Sequence, residues 1–161
     1  MNYLEKKMRS TIQKYNPKKY WKLRTRIITK NKYPNWLKAF YLFYIKRCDA
    51  FNNASLGTHI NYGAQFSDIP NFPHGLNGII VSHNAKIGAN ARIFHQVTIG
   101  EGNDGAPTIG DNCLIGAGAK IIGGIHIGNN VKIGANCIVV TDIPDNATVV
   151  MDKPRIIIKE Q

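Results

Sequence analysis

Beyond residue 80 the branched apolar residues of this 161-residue chain return in steps of six. Four phrases carry the period in full: Ile87-Gly88-Ala89-Asn90-Ala91-Arg92, Ile109-Gly110-Asp111-Asn112-Cys113-Leu114, Ile127-Gly128-Asn129-Asn130-Val131-Lys132 and Ile133-Gly134-Ala135-Asn136-Cys137-Ile138. Weaker copies start at Ile93, Ile115, Ile121 and Val139. The first position of each phrase is a β-branched residue, suited to a strand and to burial. The fifth is small or branched: Ala91, Val97, Cys113, Ala119, Ile125, Val131, Cys137. The fourth is Asn or Gly at 90, 112, 118, 124, 130 and 136, and both residues tolerate the positive φ of a tight corner. The second is mostly Gly, where backbones can approach closely.

A period of six is far from the 3.6 of an amphipathic helix, and corners recur too often for a meander. A fixed repeat dictates architecture before any local propensity does. The reading that remains is an all-β solenoid, a parallel β-helix whose coils bury one internal column. Leu56, Tyr62 and Ile69 read as irregular opening rungs, and the register slips between Asp68 and Val81, at Pro70, Pro73, His74 and Gly75. Pro34 is expected to open a helix running to about Phe51. Residues before Lys32 show no strong period. The expected organisation is therefore a basic, aromatic helical arm over residues 1–52 and a β-helix domain with a closing strand over residues 53–161.

Charge is distributed unevenly. Residues 1–47 hold 14 Lys and Arg against one acid, Glu5, whereas the rest of the chain holds 7 against 9, for a net charge of +11. The basic segment is expected to pack on the coil or on a neighbouring subunit through Trp36, Leu37, Phe40, Tyr41, Phe43, Tyr44 and Ile45. Aromatic and basic residues together also suit a headgroup surface, so peripheral membrane contact through residues 1–47 is the alternative. Nucleic acid is disfavoured, because no recognition motif accompanies the charge. The three cysteines, Cys48, Cys113 and Cys137, have no metal-site spacing, and no metal is expected. An odd cysteine count without an apolar stretch near Met1 implies a cytoplasmic location, extended by the basic arm to the inner face of the membrane.

The hexad phrases resemble those of the hexapeptide-repeat, left-handed β-helix acyltransferases over residues 56 to 156. The resemblance implies three rungs per coil, acetyl-CoA as co-substrate, and a homotrimer with its sites between subunits. Phe72-Pro73-His74-Gly75-Leu76-Asn77-Gly78-Ile79-Ile80-Val81 is similar to the serine acetyltransferase segment in which a catalytic His precedes a Gly and an aliphatic strand. This implies that His74 deprotonates the acceptor hydroxyl, a role for which His is chemically apt. The Pro-His-Gly-Leu-Asn-Gly form resembles a branch found among cell-wall and capsule biosynthesis proteins. His95, in Ile93-Phe94-His95-Gln96-Val97-Thr98, stands at the outward third position, where the serine enzymes carry Gln; it is the second candidate catalytic residue. His83 and His126 match no motif and are expected at the surface, and His59 is assigned no role.

By the same resemblance the donor lies along Gly116, Ala117, Gly118, Ala119 and Lys120, then Gly134 and Ala135, with Lys153 and Arg155 toward its phosphates. The closing strand departs from the family's Gly-x-Pro-Ala phrase, with Asp152 for the Gly and Arg155 for the Ala. The loop Glu101–Pro107 inserts four residues between Ile99 and Ile109. It ends in Gly105-Ala106-Pro107-Thr108, without the Arg and His that the serine enzymes place there. The expected activity is acetyl transfer from acetyl-CoA to an acceptor hydroxyl, with a saccharide of cell-envelope polysaccharide as acceptor. The alternatives are serine O-acetylation for cysteine synthesis and a non-catalytic β-helix scaffold.

Overall fold

The computed structural model describes residues 14–153 and 155–158, together with Leu4, Met8, Thr11 and Ile12. The remainder of the expected arm and of the C-terminal end lies outside the described residues.

Two helices precede the coil. Helix α1 spans Pro17–Ile28 and starts where the Asn16 side chain accepts a hydrogen bond from the Lys19 amide, with proline in its first turn. It buries Tyr20, Trp21, Arg24 and Ile27, which recur at helical spacing. It falls within the expected helical arm, although no period marked its position in the sequence. Helix α2 spans Asn35–Phe51 directly after Pro34, as the sequence predicts.

The coil itself is the predicted left-handed parallel β-helix. Its first turn holds β1 (Ser55–Leu56), the hairpin of β2 (Thr58–His59) and β3 (Tyr62–Gly63), and β4 (Gln65–Phe66). The second holds β5 (Ile80–Val81), β6 (Lys86–Ile87) and β7 (Arg92–Ile93), and the third β8 (Thr98–Gly100), β9 (Thr108–Ile109) and β10 (Leu114–Ile115). The fourth holds β11 (Lys120–Ile122), β12 (His126–Ile127) and β13 (Lys132–Ile133), and the last β14 (Ile138–Val139) and β15 (Thr148–Val149). Equivalent strands stack into three parallel sheets, ordered β1-β5-β8-β11-β14, β4-β6-β9-β12 and β7-β10-β13-β15.

Register follows the hexads. Ile93, Ile115, Ile133 and Val149 are successive partners on one sheet, and Val81, Ile99, Ile121 and Val139 on another. Every first-position residue from Ile87 to Val139 is buried, as is every fifth-position residue from Ala91 to Cys137. Asn90, Asn112, Asn130 and Asn136 take positive φ at the corners. Their amides stack along the coil axis, Asn90 donating to Asn112 and Asn130 to Asn146. The second-position glycines are needed: a Cβ on Gly116 would lie 2.6 Å from the Ala135 nitrogen.

Three expectations need correction. Tyr62 and Ile69 are exposed and not rungs. Chain is diverted into the β2–β3 hairpin, and Phe66, paired with Ile87, takes the inward place. In the Ile121 rung, Gly123 rather than Gly124 takes positive φ, because the inserted loop packs against both glycines there.

Buried polar staples fix the helices to the first turn. The Arg24 guanidinium donates to Leu56 O, Ala64 O and Thr58 Oγ1, and lies against both the Trp21 and Phe66 rings, which meet each other edge-on. Lys38 Nζ donates to Thr29 O and Asn61 Oδ1. The Tyr20 hydroxyl donates to Asp49 Oδ1 at 2.7 Å, while Asp49 Oδ2 is buried without a hydrogen bond.

Burial raises Asp49 to about 6, against an ordinary 3.8, and the bond from Tyr20 only partly offsets this. Between those values the folded chain keeps a proton that the unfolded chain has released. The stability from protonated Asp49 is thus fully present below about pH 4 and lost as pH rises through about 6, to a ceiling of about 3 kcal/mol. Urea unfolding of wild type and Asp49→Asn from pH 4 to 8 measures it. The two stability curves are expected to diverge across that window; parallel curves would show that Asp49 stays ionised when folded.

Candidate active site

The Pro73–Gly78 turn, which causes the register slip, folds His74 back toward the second coil. Gly75 at φ +75 and Gly78 at φ +66 supply its left-handed corners. His95 stands on the corner between β7 and β8, beside Gln96 at φ +59. The two imidazoles meet there. His74 Nδ1 lies 2.8 Å from His95 Nδ1, with ring centroids 4.8 Å apart. The Phe94 ring meets His74 edge-on at 5.5 Å. His74 is exposed and His95 half-buried.

A bond between two Nδ1 atoms has a chemical consequence. One must carry the proton and the other must accept it, so the rings adopt opposite tautomers. The donor ring is left with a bare Nε2 lone pair, a base. The acceptor ring carries its proton on Nε2 and becomes an N–H donor. The donor ring can accept a further proton on Nε2 and keep the bond. The pair therefore supplies one base with a fixed orientation and one adjacent donor.

Coil stacking places the expected donor-binding residues on this same corner. The Gln96 amide donates to Asn77 O, Gly118 to His95 O, and Asn136 to Ala117 O. Ala117 and Gly118 are one coil from the pair and Gly134 and Ala135 two coils away, at about 4.8 Å per coil. Ala117 and Gly118 are half-buried, Ala135 is exposed, and the side chain of Ala119 belongs to the internal column. Gly116 is buried against the Gly134–Ala135 backbone. Lys120 Nζ donates to Gln96 O at 2.8 Å, the carbonyl of the residue that follows His95. Lys153 and Arg155 are exposed on the segment after β15.

The inserted loop forms a tight turn, Gly102 donating to Gly105 O at 2.8 Å, with Asp104 against Gly123 and Gly124. Glu101 accepts from Asn84 and Ser82, and these bonds hold its carboxyl below the usual range. No cation lies in Glu101–Pro107.

Sequence reasoning missed a second histidine cluster. His59 stacks on Tyr62 at 4.8 Å, and His83 meets both rings edge-on. His83 is thus half-buried and packed, not a plain surface residue, whereas His126 is exposed. Burial lowers His59, and the charges of Lys46 and His83 lower it further. No motif or spacing pointed to this cluster, which the β2–β3 hairpin creates. A cleft of about 660 Å³ between α1 and β4 is lined by Lys18, Trp21 and Phe66 and by no histidine. Among the described residues no group of three His, Cys, Asp or Glu could hold a metal ion.

Residues 106–141 match the family model described as bacterial transferase hexapeptide (six repeats). The chain is 36% identical over 109 residues to a serine acetyltransferase of Helicobacter pylori, an alignment covering 65% of this chain and 63% of that protein. It is 42% identical over 98 residues to the serine acetyltransferase of Staphylococcus xylosus, covering 58% and 45%. Among solved structures it is similar to serine acetyltransferase isoform 3 of Entamoeba histolytica in complex with cysteine. That likeness has a TM-score of 0.65 at 31% identity and covers 76% of this chain and 44% of that one. The serine acetyltransferase of Neisseria gonorrhoeae in complex with serine gives a TM-score of 0.59 at 37% identity, covering 74% and 49%. The chain thus spans between about half and two thirds of the length of these relatives.

Proposed function

We propose that this chain is an O-acetyltransferase that moves an acetyl group from acetyl-CoA to an acceptor hydroxyl, with His74 as general base and His95 orienting it. The observation that carries this reading is the Nδ1–Nδ1 contact of 2.8 Å, one coil from the small-residue stretch Gly116–Lys120. His74, the exposed member, donates its Nδ1 proton to His95 and presents a bare Nε2. That nitrogen takes the proton of the acceptor hydroxyl as its oxygen attacks the thioester carbonyl carbon. The tetrahedral intermediate collapses with cleavage of the C–S bond, and the His74 imidazolium returns the proton to the departing sulfur. Donors near the pair, the His95 Nε2–H and the Lys120 ammonium, are positioned to favour negative charge. Ala117 and Gly118 leave room for the pantetheine arm, and the exposed Lys153 and Arg155 are free for the CoA phosphates.

The acceptor divides the observations. The relatives are serine acetyltransferases, which supports L-serine. The inserted loop supports an acceptor without a carboxylate, such as a saccharide of the cell envelope. It carries Glu101 and Asp104 and no cation. Serine stands first on the weight of the relatives. A homotrimer completes the reading: the pair is on an open edge, and the β5 and β14 rungs expose Ile80, Ile138 and Val140.

Thiol release from acetyl-CoA, measured with L-serine, hexoses and nucleotide sugars in turn, tests the proposal. Release with one acceptor class, with the O-acetyl product found by mass, is the expected outcome and names the class. CoA binding without release for any hydroxyl compound would favour the scaffold.

A further inference from the structure

Helix α2 is apolar on both faces, and only one is used. Ile45 and Cys48 are buried against the rest of the protein, with Leu37, Tyr41 and Tyr44 partly so. The opposite face carries Trp36, Phe40, Phe43 and Phe51, exposed at 67, 71, 70 and 50%. Spacings of four, three and eight residues put all four on one stripe. Large exposed aromatics gathered along one helix face are uncommon on a monomeric surface and mark an interaction face.

The surroundings of the stripe are cationic. Arg47 falls on the stripe between Phe43 and Phe51, and Lys46 beside it; both are exposed. Lys14 Nζ lies 4.5 Å from the Phe51 ring centre, and Lys19 Nζ 4.4 Å from that of Tyr44. Residues 14–47 contain 11 Lys and Arg and no acid. Only Arg24 and Lys38 of these are buried. Leu4, Met8 and Ile12, four residues apart, are exposed as well.

We propose that this face of α2 docks on the surface of a bilayer containing anionic lipid, with Trp36, Phe40 and Phe43 entering the headgroup–acyl boundary. Charge complementarity selects this occupant. A second copy would bring two cationic faces together, whereas an anionic bilayer attracts the basic residues and accepts the aromatic rings between them. No described helix is long and apolar enough to cross a membrane, so the contact is peripheral. Aromatic insertion and electrostatic attraction each contribute, and two weak signals together give stable attachment.

The test uses the full chain and its two tryptophans. Trp21 is buried, so a change in emission on adding vesicles reports Trp36. Vesicles of equal parts phosphatidylglycerol and phosphatidylcholine are compared with phosphatidylcholine alone, by co-sedimentation and Trp36 emission. The protein is expected to sediment with the anionic vesicles, with emission shifted to the blue, and to bind neutral vesicles at least about tenfold less. Phe40→Ser with Phe43→Ser, and separately Lys46→Gln with Arg47→Gln, are each expected to lower partitioning by about tenfold. Far-UV circular dichroism should be unchanged, since these side chains are exposed. Absence of wild-type binding, equal binding to neutral vesicles, or undiminished binding by the Phe variant would overturn the proposal. A lower oligomeric mass of the Phe variant without vesicles would overturn it too, by assigning the face to a second copy.

Discussion

Replacing His74 with alanine is expected to lower kcat/KM for acetyl transfer by about 10²–10⁴, the usual contribution of a positioned base. In barrier height that is about 3–5 kcal/mol. The fold is expected to survive, since His74 is exposed on a turn whose shape Gly75 and Gly78 set. Binding of CoA should persist, because its expected contacts lie one and two coils away. His95→Asn separates the two roles. An asparagine oxygen can still accept the His74 Nδ1 proton, so the loss should be much smaller than for His74→Ala. His95→Phe removes the acceptor and should cost more than His95→Asn. Steady-state kinetics of the three variants check this order. A His74→Ala enzyme within tenfold of wild type, beside a dead His95→Asn, would transfer the base to His95.

Arg24→Ala is expected to give the largest loss of stability, about 3 kcal/mol. The substitution leaves Leu56 O, Ala64 O and Thr58 Oγ1 buried without their donor, and opens a void beside the Trp21 and Phe66 rings. Burial lowers Arg24 to about 10, so the guanidinium is still charged at neutral pH and the bonds are charge-assisted. Arg24→Lys should recover only part of the loss, because an ammonium cannot reach all three acceptors with the fork geometry of arginine. At about 2–4 °C per kcal/mol for a chain of this size, the alanine variant should melt about 6–12 °C lower. A shift under about 2 °C would mean that water replaces the guanidinium and that the staple contributes little.

The coil was legible in the sequence because each hexad position has its own steric demand. Ile87 through Val139 needed burial, Asn90 and its equivalents needed positive φ, and the second-position glycines needed backbone proximity. The first turn was not legible, because Tyr62 and Ile69 mimic rung residues while the β2–β3 hairpin excludes them. Helix α1 left a signal that went unread, the Asn16-Pro17 start followed by Tyr20, Trp21, Arg24 and Ile27. Basic residues between those positions hid its period. Both catalytic candidates were picked by resemblance and by rung position. Their contact was not legible, since it depends on how far the Pro73–Gly78 turn folds back over the next coil. The His59–His83 cluster left no trace in the sequence, because it joins two coils through an irregular hairpin.

The central claim is that His95 accepts the Nδ1 proton of His74 and so leaves His74 Nε2 bare. Nitrogen-15 NMR of histidine-labelled protein near neutral pH reads this directly, with His74→Ala and His95→Asn samples for assignment. The account predicts opposite tautomers: His74 protonated on Nδ1 and His95 on Nε2, with His74 keeping its Nδ1 proton in His95→Asn and His95 losing its fixed tautomer in His74→Ala. Both rings protonated on Nε2 would mean that the bond does not form, and the reversed pair would make His95 the base.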